Sequence, residues 1–300
     1  MIQIFFDEKY HLELPPKHRF PMDKYRLTKA QLIYEGTFTE SNFISPKPAT
    51  QKQLVAIHDQ AYIDKLNSGN LTRHEIRRSG FPYSRDLVLR EESITGGTIA
   101  ATYAAMKEGV SFNLAGGTHH AYPDHAEGFC IYNDIAVAAR DYLHKFPNNQ
   151  ILVVDLDVHQ GNGTAHIFKD EPRVFTLSVH GEKNYPMHKE QSDLDIPLSD
   201  TTTDRQYLEI VQENLVNLID RVKPDFIYFQ SGVDILVNDK LGKVSISMSA
   251  CRERDMIVFE TLYTKGIPTA VSMGGGYADR LRDIVEAHCN TFRVAKHLYE

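Results

Sequence analysis

The sequence predicts an α/β fold in which a central parallel sheet carries helices on both faces. The first observation is a series of short apolar runs, rich in Val, Ile and Phe, that alternate with helical segments from about Ser93 onward. Because these runs are apolar throughout, the strands are expected to be buried on both faces. The second observation is that four runs end in polar clusters, and such sheets bind ligands beyond the carboxyl ends of their strands. The sequence therefore predicts one site at that edge.

Taken in chain order, the elements fall into an irregular first part and a regular second part. The first 90 residues contain scattered Pro, His and Arg and are predicted to form short helices and loops. The four informative strands are VSFNLA before Gly116, QILVVDLDVH up to His159, FIYFQ before Ser231 and TAVSM before Gly274. Asp204 can cap a helix whose apolar side repeats at helical spacing until Pro224. Another helix is predicted after Ser249, ending at Gly266.

Composition limits the class of protein. The 300 residues are 42% hydrophobic without an internal repeat or a low-complexity linker, which predicts a single domain over residues 1–300. The net charge of −7 argues against a nucleic-acid-binding surface, which would be basic. No stretch is typical of a secretory signal or a membrane span. Three cysteines, an odd number, suggest reduced thiols, so we expect a cytoplasmic protein.

The segment Asp155-Leu-Asp157-Val-His159 suggests a metal site. Side chains alternate along a strand, so a regular strand would place all three ionisable groups on one buried face. Burying them is costly unless a cation compensates. Asp oxygen and His nitrogen suit zinc or ferrous iron, and a catalytic zinc needs about three protein ligands. Asp157 and His159 would supply two, and Asp234, at another strand end, the third.

Two adjacent histidines, His119 and His120, follow the first of these strands and suggest acid–base chemistry. A metal-activated water needs a base nearby, and a leaving amine needs an acid. Asp155 could orient one imidazole, and Asn162 the other more weakly because it carries no charge. The sequence does not assign which histidine is the base and which the acid.

Tyr277 follows three glycines, which let the backbone pass close to a ligand and expose the phenol. A tyrosine hydroxyl can donate to the oxyanion that develops on a carbonyl. The run Gly274-Gly275-Gly276-Tyr277 lacks the G-x-G-x-x-G spacing, so it does not indicate dinucleotide binding.

Together these motifs resemble the zinc-dependent histone deacetylase family, which includes acetoin-utilisation and acetylpolyamine amidohydrolases. RFPM near the start and DKLGKVSIS after Asp234 look most like the class IV branch and its bacterial relatives. The matching motifs, in the family's order, are Gly116-Gly117-x-His119-His120, Gly128-Phe129-Cys130, Asp155-x-Asp157-x-His159-x-Gly161-Asn162-Gly163, Ser231-Gly232-x-Asp234 and Gly274-Gly275-Gly276-Tyr277.

The resemblance implies a single arginase/deacetylase-like domain with its active site at the C-terminal ends of the strands. It implies zinc, with ferrous iron as the alternative metal, on Asp157, His159 and Asp234. It implies His119 and His120 as the acid–base pair, with Asp155 and Asn162 as their respective partners. Tyr277 would polarise the carbonyl. A structural potassium ion is also implied, held by Asp155, Asp157, His159, Ser178 and Val179.

The resemblance also implies a narrow substrate tunnel, with substrate-binding positions at Gly128, Phe129, Tyr185, Leu241 and Gly275. An apolar tunnel suits the methylene stem of a lysine side chain. Leu241 lies where polyamine-selective relatives have a Glu, which argues against a dicationic substrate. Asp124, His125 and Glu127 are interpreted as a solvated loop at the tunnel mouth.

The function expected from these residues is a metal-dependent amidohydrolase that removes acyl groups from the ε-amine of lysine in a protein or peptide. A deacetylase of a small acylated amine is the alternative. A binuclear-manganese ureohydrolase would need a second carboxylate near Asp234, and the nearest is Asp239. A non-catalytic acyl-lysine-binding protein should have lost a ligand or the tyrosine, and none is missing. Acyl length, physiological substrate, native metal and oligomeric state stay open.

Overall fold

A computed structural model describes residues 1–300. All eight strands are parallel and form one sheet, with bounds β1 (Gln3–Phe5), β2 (Phe43–Ile44), β3 (Val110–Asn113), β4 (Ile151–Asp155), β5 (Val174–Gly181), β6 (Leu194–Leu198), β7 (Phe226–Gln230) and β8 (Thr269–Ser272). Their order across the sheet is β2-β1-β3-β8-β7-β4-β5-β6. The predicted α/β class with a central parallel sheet is confirmed.

Two layers of helices cover the sheet. Helices α5 and α6 pack together on one side, and α1, α8, α9 and α10 form the other layer. None of the helices combines the length and the apolar character needed to cross a membrane. The helices are α1 (Lys24–Tyr34), α2 (Gln51–Leu54), α3 (Gln60–Ser68), α4 (Arg73–Ser79), α5 (Arg85–Glu108), α6 (Asp134–Lys145), α7 (Asn162–Phe168), α8 (Asp204–Val222), α9 (Met248–Lys265) and α10 (Leu281–Tyr299).

The central strands are mostly apolar because both of their faces are covered. Every residue of β3, β4, β7 and β8 is buried. These four strands are neighbours in the order β3-β8-β7-β4, so the four polar clusters predicted from the sequence emerge side by side. The sheet order therefore brings motifs that are more than 100 residues apart in the chain to a single edge.

Two local predictions were wrong. The first 90 residues are not only helices and loops, because they supply β1 and β2, which extend the sheet beyond β3. These strands span three and two residues, too short to show a period in the sequence. Helix α8 is capped by Thr203, whose hydroxyl accepts from the Gln206 amide, and not by Asp204. The Asp204 carboxylate instead accepts hydrogen bonds from Ser247, the residue that caps α9.

Candidate active site

The carboxylates of the site are gathered by a turn and not by strand alternation. Strand β4 ends at Asp155, so the predicted period of two does not extend to Asp157 and His159. Instead, the Asp157 amide donates to Asp155 Oδ1 at 3.1 Å, and the His159 amide donates to Asp157 Oδ1 at 3.0 Å. Each carboxylate thus fixes the backbone two residues further on, and the turn brings Asp157 and His159 to the lining of one cavity, with Asp155 buried beside His119.

Asp234 joins this cluster from the loop after β7. Its Oδ1 accepts from the Val158 amide at 2.9 Å, and its Oδ2 lies 3.0 Å from His159 Nδ1. Asp157 Oδ1 lies 3.1 Å from the same nitrogen. One ligand atom from each of Asp157, His159 and Asp234 lies within 4.8 Å of the others, and all three residues are buried. The three predicted metal-ligating residues are therefore brought together.

The cluster fits a divalent cation. Burial and the charge of Asp157 raise the pKa of Asp234 to about 7. Burial opposes the charged form of His159, but the two carboxylates outweigh it and raise its pKa to about 10. Two carboxylates this close favour a positive charge between them. A side chain at Gly275 would collide with Asp234 Oδ2, so glycine is needed to leave the pocket open, and the Gly275 amide donates to Asp157 Oδ2 at 2.7 Å.

The two histidines face the same pocket with the predicted partners. His119 Nδ1 lies 2.7 Å from Asp155 Oδ2, and His120 Nδ1 lies 2.6 Å from Asn162 Oδ1. Their Nε2 atoms are 3.2 Å apart. Each imidazole is therefore held through Nδ1 and presents Nε2 to the pocket.

The different surroundings shift the pKa values of the two imidazoles in opposite directions. Burial alone would lower the pKa of His119, but the carboxylates of Asp155 and Asp157 outweigh it and raise the pKa. Burial lowers the pKa of His120 well below its usual range, and the positive charges of His119 and His159 lower it further. The amide of Asn162 cannot offset these effects because it is neutral. The surroundings therefore favour the charged form at His119 and the neutral form at His120.

Tyr277 lies on the other side of the cluster, with its ring centroid 6.4 Å from that of His159. Burial raises the pKa of its phenol well above the usual range, so the hydroxyl stays a hydrogen-bond donor. Its amide donates to Asp239 Oδ2 at 2.6 Å, and Asp239 Oδ1 accepts from the amides of Leu241 and Gly242. Asp239 thus organises this loop. It is not part of the only cluster of three side chains that could hold a metal ion, which consists of Asp157, His159 and Asp234.

The predicted tunnel residues surround a path to the site. Gly275 lines a smaller inner cavity of about 40 Å³ together with Asp157 and His159. The outer cavity, of about 290 Å³, is lined by Gly128, Phe129, Tyr185 and Leu241 together with His120, His159 and Tyr277. Phe129 adopts a φ of 67°, which is uncommon for a non-glycine residue, and its ring packs 6.0 Å from that of Tyr277.

The residues predicted to hold potassium lie together on adjacent strands and the following turn. Ser178 on β5 pairs in register with Asp155 on β4, and Val179 follows it. All five predicted positions are buried. Potassium binding itself stays a prediction.

The predicted solvent exposure of Glu127 was wrong, and the sequence analysis did not identify Gln230 as a residue of the site. Glu127 is not solvated: it is 7% exposed, and its carboxylate accepts from Asn162 Nδ2 at 3.0 Å and from the Tyr185 hydroxyl. Gln230 Nε2 lies 2.9 Å from His119 Nδ1. A signal for Gln230 was present, since it is the polar residue that ends the apolar run FIYFQ.

Comparisons with known proteins agree with this geometry. The family model of the histone deacetylase domain matches residues 18–292. The chain is 39% identical over 99% of its length to an uncharacterized protein of Picosynechococcus sp., of which it covers 99%. It is 26% identical over 92% of its length to histone deacetylase 2 of Arabidopsis thaliana, of which it covers 74%.

Two further relatives extend the match. The acetoin utilization protein AcuC of Staphylococcus aureus is 27% identical over 96% of this chain, which covers 80% of that protein. The crystal structure of a histone deacetylase homologue complexed with SAHA matches 99% of this chain and 84% of its own, with a TM-score of 0.82 and 25% identity. These relatives support a deacetylase, a class of hydrolase, and the chain belongs to the histone deacetylase family.

Proposed function

We propose that the protein is a zinc-dependent deacylase that hydrolyses the amide between an acyl group and the ε-amine of lysine in a protein or peptide. The observation that carries the proposal is the arrangement of His119 and His120, each with its own partner, beside the Asp157–His159–Asp234 cluster in one pocket. Such a pocket combines proton-transfer groups with a cation site, as metal-assisted amide hydrolysis requires.

Asp157, His159 and Asp234 would hold the zinc ion, with one imidazole nitrogen and carboxylate oxygens as ligands. Zinc, when bound, supplies a Lewis acid for the water and the acyl carbonyl. We further propose that a potassium ion bound at Asp155, Asp157, His159, Ser178 and Val179 stabilises the turn after β4.

His120 is the proposed proton carrier. Its lowered pKa keeps Nε2 unprotonated, so it can accept a proton from the attacking water. Water oxygen bonds to the acyl carbon, the carbon–nitrogen bond breaks, and the same proton passes from Nε2 to the leaving amine. His119 remains charged beside Asp155 and stabilises negative charge as it develops.

Tyr277 and the outer cavity position the acyl-lysine. The protonated phenol of Tyr277 would donate to the carbonyl oxygen as it becomes an oxyanion. The rings of Phe129 and Tyr185 would flank the methylene stem of lysine, because both line the outer cavity.

A small acylated amine is the second candidate substrate. The same pocket chemistry would serve both substrates, and the difference lies in what occupies the cavity mouth.

The test is hydrolysis of a matched acyl-lysine peptide series from acetyl to myristoyl, with acetylated spermidine alongside. Each substrate is assayed with added zinc and again with a chelator. We expect turnover of at least one acyl-lysine peptide that the chelator abolishes and zinc restores. The absence of turnover with every peptide, by protein shown to hold one zinc per chain, would contradict the proposal.

A further inference from the structure

The mouth of the outer cavity is basic. Three arginines, Arg19, Arg77 and Arg78, line it, and no Asp or Glu does. The whole chain has 33 Lys and Arg against 40 Asp and Glu, with a net charge of −7. The sign of charge at the entrance is therefore opposite to the average of the protein.

The arginines are held at the mouth by backbone contacts of the tunnel wall. Arg77 and Arg78 lie in the last turn of α4, and the residue that ends this helix, Ser79, accepts a hydrogen bond from the Phe129 amide at 2.8 Å. The segment that carries Arg19 is anchored beside it, because His18 Nε2 lies 2.9 Å from the Gly80 carbonyl oxygen. Both basic segments are thus tied to the wall that Phe129 forms.

Two of the three guanidinium groups are free to bind a ligand. Arg78 is neutralised by Glu127, with Nε and Nη2 at 2.8 and 2.6 Å from Oε2. Arg19 and Arg77 are exposed and make neither an ion pair nor a side-chain hydrogen bond within the chain. An unpaired guanidinium fork matches the geometry of a carboxylate, which it can bind through two parallel hydrogen bonds.

We propose that this mouth selects substrates that carry a carboxylate near the Cα end of the acylated lysine, opposite the acylated amine, with Arg19 and Arg77 as the specificity-determining residues. The inference rests on the proposed deacylase function and adds the charge of its substrate. The carboxylate can come from two sources, namely the α-carboxylate of a free Nε-acyl-lysine or an acidic side chain that flanks an acyl-lysine in a peptide. A polycationic acylated amine would be repelled from the same entrance.

Two matched pairs of probes test the proposal on the zinc-loaded full chain. The first is Nα-Boc-Nε-acetyl-lysine and its α-carboxamide, and the second is an acetyl-lysine peptide with Glu or with Gln on both sides. We expect kcat/KM for the anionic member to exceed that for the neutral one by about tenfold in at least one pair, the effect of one or two partly exposed charge pairs. Arg19→Gln and Arg77→Gln should each reduce this ratio by about threefold, and the double variant should abolish it.

Arg252→Gln is the matched control, since Arg252 is an exposed arginine of α9 that forms no ion pair and lies outside the cavity lining. It should leave the ratio unchanged. A preference confined to the first pair would support a free acyl amino acid, and one in the peptide pair would support an acidic flanking sequence. Equal hydrolysis of anionic and neutral probes would overturn this inference and leave the deacylase proposal standing. If no probe is hydrolysed, and the acyl-lysine peptides from acetyl to myristoyl are not hydrolysed either, both proposals are overturned.

Discussion

The floor of the pocket, formed around Asp155, Asp157 and Asp234, and its mouth, formed around Arg19 and Arg77, carry opposite charges. They are also built in different ways. The floor holds Asp155, Asp157 and Asp234, which are at most 4% exposed and which accept hydrogen bonds from neighbouring amides. The mouth holds Arg19 and Arg77, which are exposed and unpaired. Buried charges are costly to leave uncompensated, whereas exposed ones are screened by water and salt. The floor should therefore determine whether hydrolysis occurs, and the mouth should determine only which substrate is preferred.

The strongest test of the floor is Asp234→Asn, which removes one charge from the cluster while preserving its shape. We expect the loss of bound zinc and a fall in kcat/KM of about 10³-fold or more, because both ion binding and charge stabilisation depend on this carboxylate. Metal content measured after dialysis, together with peptide hydrolysis, checks the result. Asp220→Asn, at an exposed position on α8, is the control. Retention of stoichiometric zinc by Asp234→Asn would contradict the assignment.

Tyr277→Phe should separate binding of the metal from stabilisation of the oxyanion. The substitution removes only the hydroxyl, so we expect kcat to fall by about 10²- to 10³-fold. Zinc content and the melting temperature should stay at wild-type values, since no hydrogen bond to a protein group involves this hydroxyl. A variant with kcat within about threefold of wild type would show that the phenol does not act on the reacting carbonyl.

Asn162→Asp tests the separation between the two imidazoles. A carboxylate beside His120 should raise the pKa of that imidazole by about one unit or more. Since His120 must be unprotonated to act as the base, the acid limb of kcat/KM should move to higher pH. Activity at pH values on the acid limb should therefore fall, while activity on the plateau at higher pH should change less.

Glu127 complicates this variant because its Oε1 lies 3.0 Å from Asn162 Nδ2, so the new carboxylate would face another. The double variant Asn162→Asp/Glu127→Gln removes that repulsion. It should retain the shifted acid limb, which pH–rate profiles from both variants would reveal. An unchanged limb in the double variant would exclude His120 as the group that titrates.

The smallest expected effect concerns the mouth and salt. Raising NaCl from about 50 to about 500 mM shortens the screening length roughly threefold, so KM for an anionic probe should rise by about two- to fivefold. The matched neutral probe should show no such rise. Initial rates at a series of substrate concentrations measure both. An equal response of the two probes would remove electrostatic attraction as the basis of the preference.

Much of the fold was predictable because its signals are local. The four runs before Gly116, His159, Ser231 and Gly274 could be recognised as buried strands, since burial on both faces makes them predominantly apolar. The short strands β1 and β2 could not, because two or three residues contain no period, and these strands are held by pairing of β1 with β3 and with β2.

The sequence by itself determined which residues would meet in the pocket. His119, Asp157 and Asp234 each follow a buried parallel strand, and strand ends of one sheet share an edge. Only the tertiary structure decided how they are used. It buried Glu127 behind Asn162 and set Arg77 at the entrance, on a helix that no sequence pattern connects to the site. The physical reason is that burial and charge balance depend on contacts between distant segments, whereas the apolar pattern of a buried strand can be recognised from neighbours in the chain.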